Sequence, residues 1–205
     1  MSESKSVRAL VWDMGGVLVR NMELSIREQL SEPYGMSYMD LENLFFGNAV
    51  AAKASLGLAH EDDIWDFVRQ KLNIQPQNLS EFIKLYWSCD KLDEDLYAFT
   101  MALRPRYQVA LLSNAYWETR ASLIRRFPRF FDMFDVTIFS AEVGLVKPDA
   151  RIYRLTLEKL GVEPEEAVFV DDFIENIQGA QAVGMKAIHF KSSQQIQQAL
   201  KEYFQ

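Results

Sequence analysis

A carboxylate follows the first apolar run of the chain. Residues 7–12 read VRALVW, and Asp13 comes directly after them, followed by Gly15 and Gly16. A parallel sheet presents its functional groups at the carboxyl ends of its strands, and glycines let the backbone fold closely around a ligand. This is where an α/β enzyme would place a nucleophilic carboxylate, but the motif taken alone favours an aspartate in an ordinary turn between strand and loop.

A hydroxyl, an amide and an ammonium group follow later apolar runs. Ser113 and Asn114 come at the end of YQVALL, where helix capping is the simpler alternative role. Lys147 precedes Pro148 and Asp149, which predict a helix start with the proline in its first turn and an acidic cap. A solvated lysine is the simpler alternative here, but a helix start would place this ammonium group near the strand ends.

Two adjacent carboxylates, Asp171 and Asp172, end the apolar run AVFV. Neighbouring like charges repel, and a hard, oxygen-seeking cation such as Mg²⁺ is an economical way to hold them together. The alternative is that Asp172 caps a helix while Asp171 is solvated.

These groups together suit phosphoryl transfer through an aspartyl phosphate. Asp13 would attack phosphorus in line, and Mg²⁺ would reduce the repulsion between the two anions. Ser113, Asn114 and Lys147 would hold the remaining phosphate oxygens as charge redistributes.

The elements that must position these groups alternate between strand and helix from about residue 105 to the end. Near-continuous apolar runs predict strands that are covered on both faces, and they lie at residues 7–12, 107–112, 136–139, 167–170 and 186–190. Amphipathic patterns predict helices, and they lie at residues 117–127, 149–160, 174–183 and 193–203. The alternation indicates an α/β fold with a doubly wound, Rossmann-like parallel sheet.

Residues 21–90 interrupt this alternation. Their patterns predict a bundle of about four short helices with no convincing strand, and the helices lie at residues 23–30, 40–46, 62–72 and 79–87. We therefore expect an α/β core of residues 1–20 and 91–205, a helical cap of residues 21–90, and a cleft between them.

The composition excludes several classes of protein. The chain has 205 residues, of which 49% are hydrophobic and 25% charged, as in a soluble globular protein. The net charge of −7 and the lack of a basic stripe argue against a nucleic-acid partner; Arg125 and Arg126 are expected to be a solvated helix end. One cysteine, Cys89, and no signal-peptide or membrane-spanning pattern predict a cytoplasmic protein without membrane association. We also expect a monomer or a weak homodimer.

The motifs in this order resemble those of the haloacid dehalogenase-like superfamily of hydrolases across the whole chain. Against the family's D-x-D-G-[TV] motif, DMGGV aligns Asp13 with the nucleophile, and Gly15 replaces the second aspartate. Ser113, with Asn114 beside it, aligns with the second motif, and Lys147 with the third. In the fourth motif, often G-D-x-x-x-D, the metal-binding aspartate aligns with Asp172, the glycine with Asp171 and the last acidic position with Asn176.

The resemblance implies a Mg²⁺ site formed by Asp13, the backbone carbonyl of Gly15 and Asp172. It places Asp171 and Asn176 behind these ligands, where they would orient Asp172, Lys147 or bound water. It also implies that residues 21–90 form a helical cap of the C1 type and that the substrate is a small phosphorylated metabolite. The DxGxV form of the first motif resembles a sugar-1-phosphate phosphatase-like branch, which favours a sugar phosphate.

Gly15 removes the general acid that related phosphatases use to protonate the leaving alcohol, a role worth about 10²- to 10⁴-fold in rate. The substrate would then have a good leaving group, such as a sugar 1-phosphate or an acyl phosphate, or the cap would supply an acid from His60, Glu61 or Asp62. Lys53, His60 and Glu61 are also candidates for substrate contact.

Several other functions are open. A catalytically weak, phospholigand-binding or scaffold protein would have the same fold. A haloacid dehalogenase also lacks the second aspartate and needs no metal, but it typically has a tyrosine at the position of Gly15, and the pair Asp171 and Asp172 would have no evident purpose there. A phosphomutase normally needs the second aspartate.

Overall fold

A parallel sheet lies at the centre of the molecule. The computed structural model describes residues 6–204, and five parallel strands within this range form the sheet in the order β5-β4-β1-β6-β7, beside a two-stranded antiparallel ribbon of β2 and β3. The strands are β1 (Ala9–Trp12), β2 (Val19–Asn21), β3 (Asp90–Leu92), β4 (Gln108–Ser113), β5 (Val136–Phe139), β6 (Ala167–Asp171) and β7 (Lys186–His189). All five predicted core strands are present, each with bounds within about two residues of the prediction.

Helices surround the sheet and form the cap. They are α1 (Leu24–Ser31), α2 (Tyr38–Phe46), α3 (Ala49–Ser55), α4 (Glu61–Leu72), α5 (Pro76–Ser88), α6 (Glu94–Leu103), α7 (Thr119–Arg126), α8 (Ser140–Val143), α9 (Ala150–Leu160), α10 (Ile174–Ala182) and α11 (Ser193–Leu200). Short 3₁₀ helices lie at Glu32–Tyr34, Phe130–Met133 and Pro164–Glu166. None of the helices in residues 6–204 combines the length and the apolar character that crossing a bilayer requires.

Both faces of the sheet are buried, as the unbroken apolar runs predict. Successive side chains of a strand point to opposite faces, so Leu10 and Trp12 of β1 belong to one hydrophobic cluster and Ala9 and Val11 to another. The first cluster includes Leu96 of α6, Leu123 of α7 and Ile196 of α11. The second includes Ile152 and Tyr153 of α9 and Ile177 of α10. Helices therefore cover both faces, which confirms the doubly wound fold.

The cap contains a helix and a ribbon that the sequence did not reveal. The expectation of about four helices and no strand was wrong, since α1 to α5 lie in residues 21–90 and Asn21 and Asp90 pair in the ribbon of β2 and β3. Helix α3 reads AVAAKAS and lacks a clear apolar stripe; the side chain of Asn48 caps it by accepting from the backbone N–H groups of Val50 and Ala51. The two strands of the ribbon have three residues each and lie far apart in the sequence.

The cap has its own hydrophobic core, in which aromatic residues predominate. Phe45, Trp65 and Tyr86 are buried there, and the ring centroids of Phe45 and Trp65 are 4.4 Å apart. Tyr116, from the loop after β4, packs into the same cluster. The cap therefore packs directly onto the end of the sheet where β4 stops.

Candidate active site

Three neighbouring strands bring the predicted polar residues to one edge of the sheet. Trp12, the last residue of β1, pairs with Leu111 of β4 and Val170 of β6. Asp13, Ser113 and Asp171 lie within two residues of this level, and the backbone N–H of Asp13 donates to the carbonyl of Val170 at 2.8 Å. The register of the parallel sheet thus gathers residues that are up to 158 positions apart.

Lys147 links two buried carboxylates. Its ammonium group donates to Oδ1 of Asp13 and, at 2.6 Å, to Oδ2 of Asp171, and only 2% of its side chain is exposed. Burial by itself lowers the pKa of Lys147, but the two carboxylates outweigh this effect and hold the pKa above its ordinary value. Lys147 therefore stays charged at this site, and the solvated lysine of the alternative interpretation is excluded.

Asp171 is directed toward the protein. It is fully buried and accepts hydrogen bonds from the backbone N–H of Phe173 at 2.8 Å and from Nδ2 of Asn176 at 3.0 Å, besides the one from Lys147. The hydroxyl of Tyr153 donates to the backbone carbonyl of Asn176 at 2.9 Å and anchors that residue. With its oxygens occupied by protein donors, Asp171 serves to fix Lys147 in place.

The carboxylates of Asp13 and Asp172 have properties that suit the binding of a cation. Burial raises the pKa of Asp13 to about 7 although Lys147 opposes this effect, and burial followed by the charge of Asp171 raises the pKa of Asp172 to about 6. Oδ1 of Asp172 is buried and has no hydrogen-bond partner among the described residues. Oxygens from Asp13, Asp171 and Asp172 all lie within 4.8 Å of one another. Such a cluster of carboxylate oxygens with an unpartnered member suits a hard divalent cation.

The two glycines after Asp13 have different structural roles. Gly16 has a φ of +78°, and a Cβ atom at this position would lie 2.1 Å from Oδ2 of Asp172, so only glycine lets the loop approach that carboxylate. Gly15 is exposed and lies outside the positive-φ region, and a Cβ atom there would meet nothing within 4 Å. The position of the absent second aspartate therefore has room for a side chain.

Asn114 holds the segment that contains Lys147. Its side-chain oxygen accepts from the backbone N–H of Lys147 at 2.8 Å, and its Nδ2 donates to the carbonyl of the same residue at 3.0 Å. The side-chain amide thus positions Lys147, so Asn114 would contact a phosphate through its backbone atoms. Ser113 is 2% exposed and lines the cleft.

The predicted helix start after Lys147 differs in one detail. Asp149 caps α9 by accepting from the backbone N–H of Arg151, as expected. Pro148 lies before this cap and outside the first helical turn, and its peptide bond with Lys147 is cis.

A cleft of about 860 Å³ lies between the cap and this edge of the sheet. Its lining includes Asp13, Ser113, Lys147 and Asp172 from the core. Residues of segment 21–90 and of the sheet edge therefore line one cleft around the carboxylates.

Among the cap residues that the sequence suggested, the cleft lining includes Glu61 and, within the described residues, none of Lys53, His60 or Asp62. His60 instead pairs with Glu118 of the core, with 2.7 Å between Nδ1 and Oε1, and 67% of its side chain is exposed. Glu61 accepts hydrogen bonds from two indole N–H groups of the cap, at 2.9 Å and 3.1 Å. Burial raises the pKa of Glu61 above its ordinary value although these donors oppose the shift.

Two arginines of the cleft carried no site prediction. Arg27 is buried and donates to Asp90 at 2.8 Å, and Arg126 donates to the backbone carbonyl of Trp87 at 2.6 Å. The expectation of a solvated end for α7 was therefore wrong for Arg126. The sequence around Arg125 and Arg126 has the pattern of an ordinary amphipathic helix end, so it does not indicate that Arg126 contacts the cap.

A family model and two relatives match most of the chain. A family model described as haloacid dehalogenase-like hydrolase matches residues 7–184. The chain is 26% identical over 191 residues to a phosphorylated carbohydrates phosphatase from Thermotoga maritima, covering 89% of this chain and 84% of that protein. It is 23% identical over 202 residues to the drimenol cyclase drtB from Aspergillus calidoustus, covering 97% of this chain but only 37% of the length of that relative.

A solved structure shares the fold. It is that of a haloacid dehalogenase family enzyme from Bacteroides thetaiotaomicron in complex with magnesium and inorganic phosphate. The TM-score is 0.74 and the sequence identity 23%, and the match covers 92% of this chain and 96% of that one.

Proposed function

Since the chain belongs to the haloacid dehalogenase-like hydrolases, we propose that it is a Mg²⁺-dependent phosphatase that hydrolyses a phosphate monoester of a small metabolite. The observation that supports this most strongly is the pairing of Lys147 with Asp13 and Asp171, beside a carboxylate oxygen of Asp172 that has no partner in the described part of the chain. A nucleophilic carboxylate, a fixed ammonium group and a free cation ligand are what attack on a dianionic phosphate needs.

In this proposal an oxygen of Asp13 attacks phosphorus and the bond from phosphorus to the alcohol oxygen breaks. The alcohol leaves with a proton from a general acid. Water then attacks phosphorus and returns a proton to that acid, and the bond from phosphorus to Asp13 breaks, which releases inorganic phosphate and the free carboxylate of Asp13. Lys147 and Ser113 bind the phosphate oxygens, and Asp171 with Asn176 keeps Lys147 in place. A Mg²⁺ ion held by Asp13, the carbonyl of Gly15 and Asp172 would neutralise part of the charge of both anions when bound.

The proton for the alcohol needs a donor, because Gly15 has no side chain. We assign this role to Glu61, the one of the three suggested cap acids that lines the cleft among the described residues. Burial raises the pKa of Glu61, which is the direction that suits a proton donor. A substrate with a good leaving group would depend less on this donor.

The alternatives make different use of the same residues. A metal-independent dehalogenase would need Asp13 but leave the buried, unpartnered oxygen of Asp172 without a role. A phospholigand-binding or scaffold protein would still bind its partner after the substitution Asp13→Asn.

The deciding experiment measures release of p-nitrophenol from p-nitrophenyl phosphate with Mg²⁺, with EDTA, and with the variant Asp13→Asn. We expect turnover with Mg²⁺ that both EDTA and the substitution abolish. Activity that persists undiminished in EDTA would refute the phosphatase proposal.

A panel of phosphorylated metabolites would then test the substrate class. The resemblance to the sugar-1-phosphate branch and the name of the Thermotoga relative favour a sugar phosphate, and sugar 1-phosphates should be faster than sugar 6-phosphates if a good leaving group is needed. Cytoplasmic location and a monomeric or weakly dimeric state stay predictions.

A further inference from the structure

Apolar side chains line the cleft around the carboxylates. On the cap side, Leu24 of α1 and Phe46 of α2 are 46% and 47% exposed. On the core side, Met14 follows the nucleophile, and Phe173, which follows Asp172, is 61% exposed. Single exposed apolar residues are ordinary, but these four line one cleft, where a ligand could remove them from water together.

Several charged residues that line the cleft are engaged in contacts within the protein. Arg27 pairs with Glu42 and donates to Asp90. Arg126 lies 3.8 Å from a carboxylate oxygen of the same aspartate, and one oxygen of Glu61 takes both indole N–H groups. A polyhydroxylated leaving group that bound these charged groups would have to compete with their existing contacts, whereas an apolar one would leave them intact.

We propose that the physiological substrate is the monophosphate ester of a predominantly apolar alcohol, an inference that rests on the phosphatase function proposed above. Its phosphate lies against Asp13 and Lys147, and its hydrocarbon portion runs outward between Phe173 on the core side and Leu24 and Phe46 on the cap side. The cleft volume of about 860 Å³ falls in the range of about 300–1,000 Å³ that is usual for pockets binding drug-sized ligands. This substrate class differs from the sugar phosphate that the sequence resemblance favours.

The test compares kcat/KM for a series of n-alkyl monophosphates of increasing chain length with the values for glucose 1-phosphate and glucose 6-phosphate. All substrates are used with Mg²⁺ and below their critical micelle concentrations. Complete burial of a methylene group would raise kcat/KM about four-fold, so half-burial in an open cleft should give about two-fold per methylene. We expect this rise to level off once the chain extends beyond the cleft, and we expect both glucose phosphates to be poorer substrates than the long-chain esters.

The variants Leu24→Asn and Phe46→Asn should reduce the increase per methylene, because each places a polar group where the chain would lie. Leu85→Asn is the matched control, since Leu85 is 39% exposed on α5 and is not part of the cleft lining. It should preserve the slope of the wild-type enzyme.

Two outcomes contradict the inference and are distinguishable. Turnover of the sugar phosphates with a flat or falling alkyl series, or equal slopes for Leu24→Asn and Leu85→Asn, would overturn the substrate class alone. No turnover of any ester, p-nitrophenyl phosphate included, would overturn the phosphatase function and the substrate class with it.

Discussion

Replacing Gly15 with aspartate should speed the hydrolysis of esters with poor leaving groups. Gly15 is exposed at the cleft, a Cβ atom there would meet nothing within 4 Å, and its φ is not positive. The substitution therefore adds a carboxyl group two residues after the nucleophile with little strain. The ionised forms of Asp13 and Asp172 would favour the protonated, donating form of the new group.

The size of the effect follows from general acid catalysis, which contributes about 10²- to 10⁴-fold. Because Glu61 is proposed to donate already, we expect a gain at the lower end, about 10²-fold in kcat for an n-alkyl phosphate. A nitrophenolate leaves without protonation, so p-nitrophenyl phosphate should gain less than about two-fold if the added group acts as an acid.

The assay is the ratio of kcat for octyl phosphate to kcat for p-nitrophenyl phosphate, measured with saturating Mg²⁺ for the wild type, Gly15→Asp and Gly15→Ala. Gly15→Ala controls for the presence of a side chain and should leave the ratio unchanged. Gly16→Ala is the steric control, since its Cβ atom would lie 2.1 Å from Oδ2 of Asp172. It should lower kcat for both substrates.

An equal change in kcat for both substrates in Gly15→Asp would refute the reasoning, because a general acid acts on the leaving group. Full activity of Gly16→Ala would show that the close approach of the loop to Asp172 is not needed.

Further substitutions test the other parts of the site. Asp172→Asn should weaken Mg²⁺ binding, measured by calorimetry, by at least about tenfold; unchanged affinity would exclude this residue as a ligand. Lys147→Met removes the ammonium group that pairs with two buried carboxylates. It should lower the free energy of unfolding, measured by urea denaturation in the presence of EDTA, by about 3–5 kcal/mol. A loss below about 1 kcal/mol would instead be typical of a surface pair. Glu61→Gln should slow alkyl phosphates while sparing p-nitrophenyl phosphate, and an equal loss on both would argue for a structural role. The hydrogen bond and charge of Glu118 raise the pKa of His60, so the charged form of this contact between cap and core is lost as the pH rises through the pKa of His60 in the folded protein. NMR titration should show the pKa of His60 return toward its ordinary value in Glu118→Gln, and no change would contradict the pairing.

The parallel sheet was predictable from local patterns. Strand β5 has the predicted bounds, 136–139, and β4 begins and ends one residue later than predicted. A strand that is buried on both faces is apolar along its whole length, so its end is visible in the sequence as the first polar residue. The same property located Asp13, Ser113 and Asp171, because the carboxyl ends of parallel strands meet at one edge.

Features of the cap that depend on distant partners were not predictable in this way. The ribbon of β2 and β3 joins two three-residue segments separated by about 70 positions, and neither VRN nor DKL has an apolar pattern of its own. Helix α3 is short and alanine-rich, so its packing in the cap, rather than an amphipathic stripe, distinguishes it from a loop.

The sequence by itself determined which chemical groups lie at the sheet edge, since residue type and strand end are local properties. Only the tertiary structure decided the role of each group. Asn114 and Asp171 bond to Lys147, an oxygen of Asp172 has no hydrogen-bond partner within residues 6–204, and Gly16 rather than Gly15 allows the close approach of the loop. The physical reason is that hydrogen-bond partners and contact distances arise between residues far apart in the chain. The tertiary structure also decides which surface the cap presents to a substrate, because this surface consists of the sides of α1 and α2 that stay exposed after the cap has packed its own core.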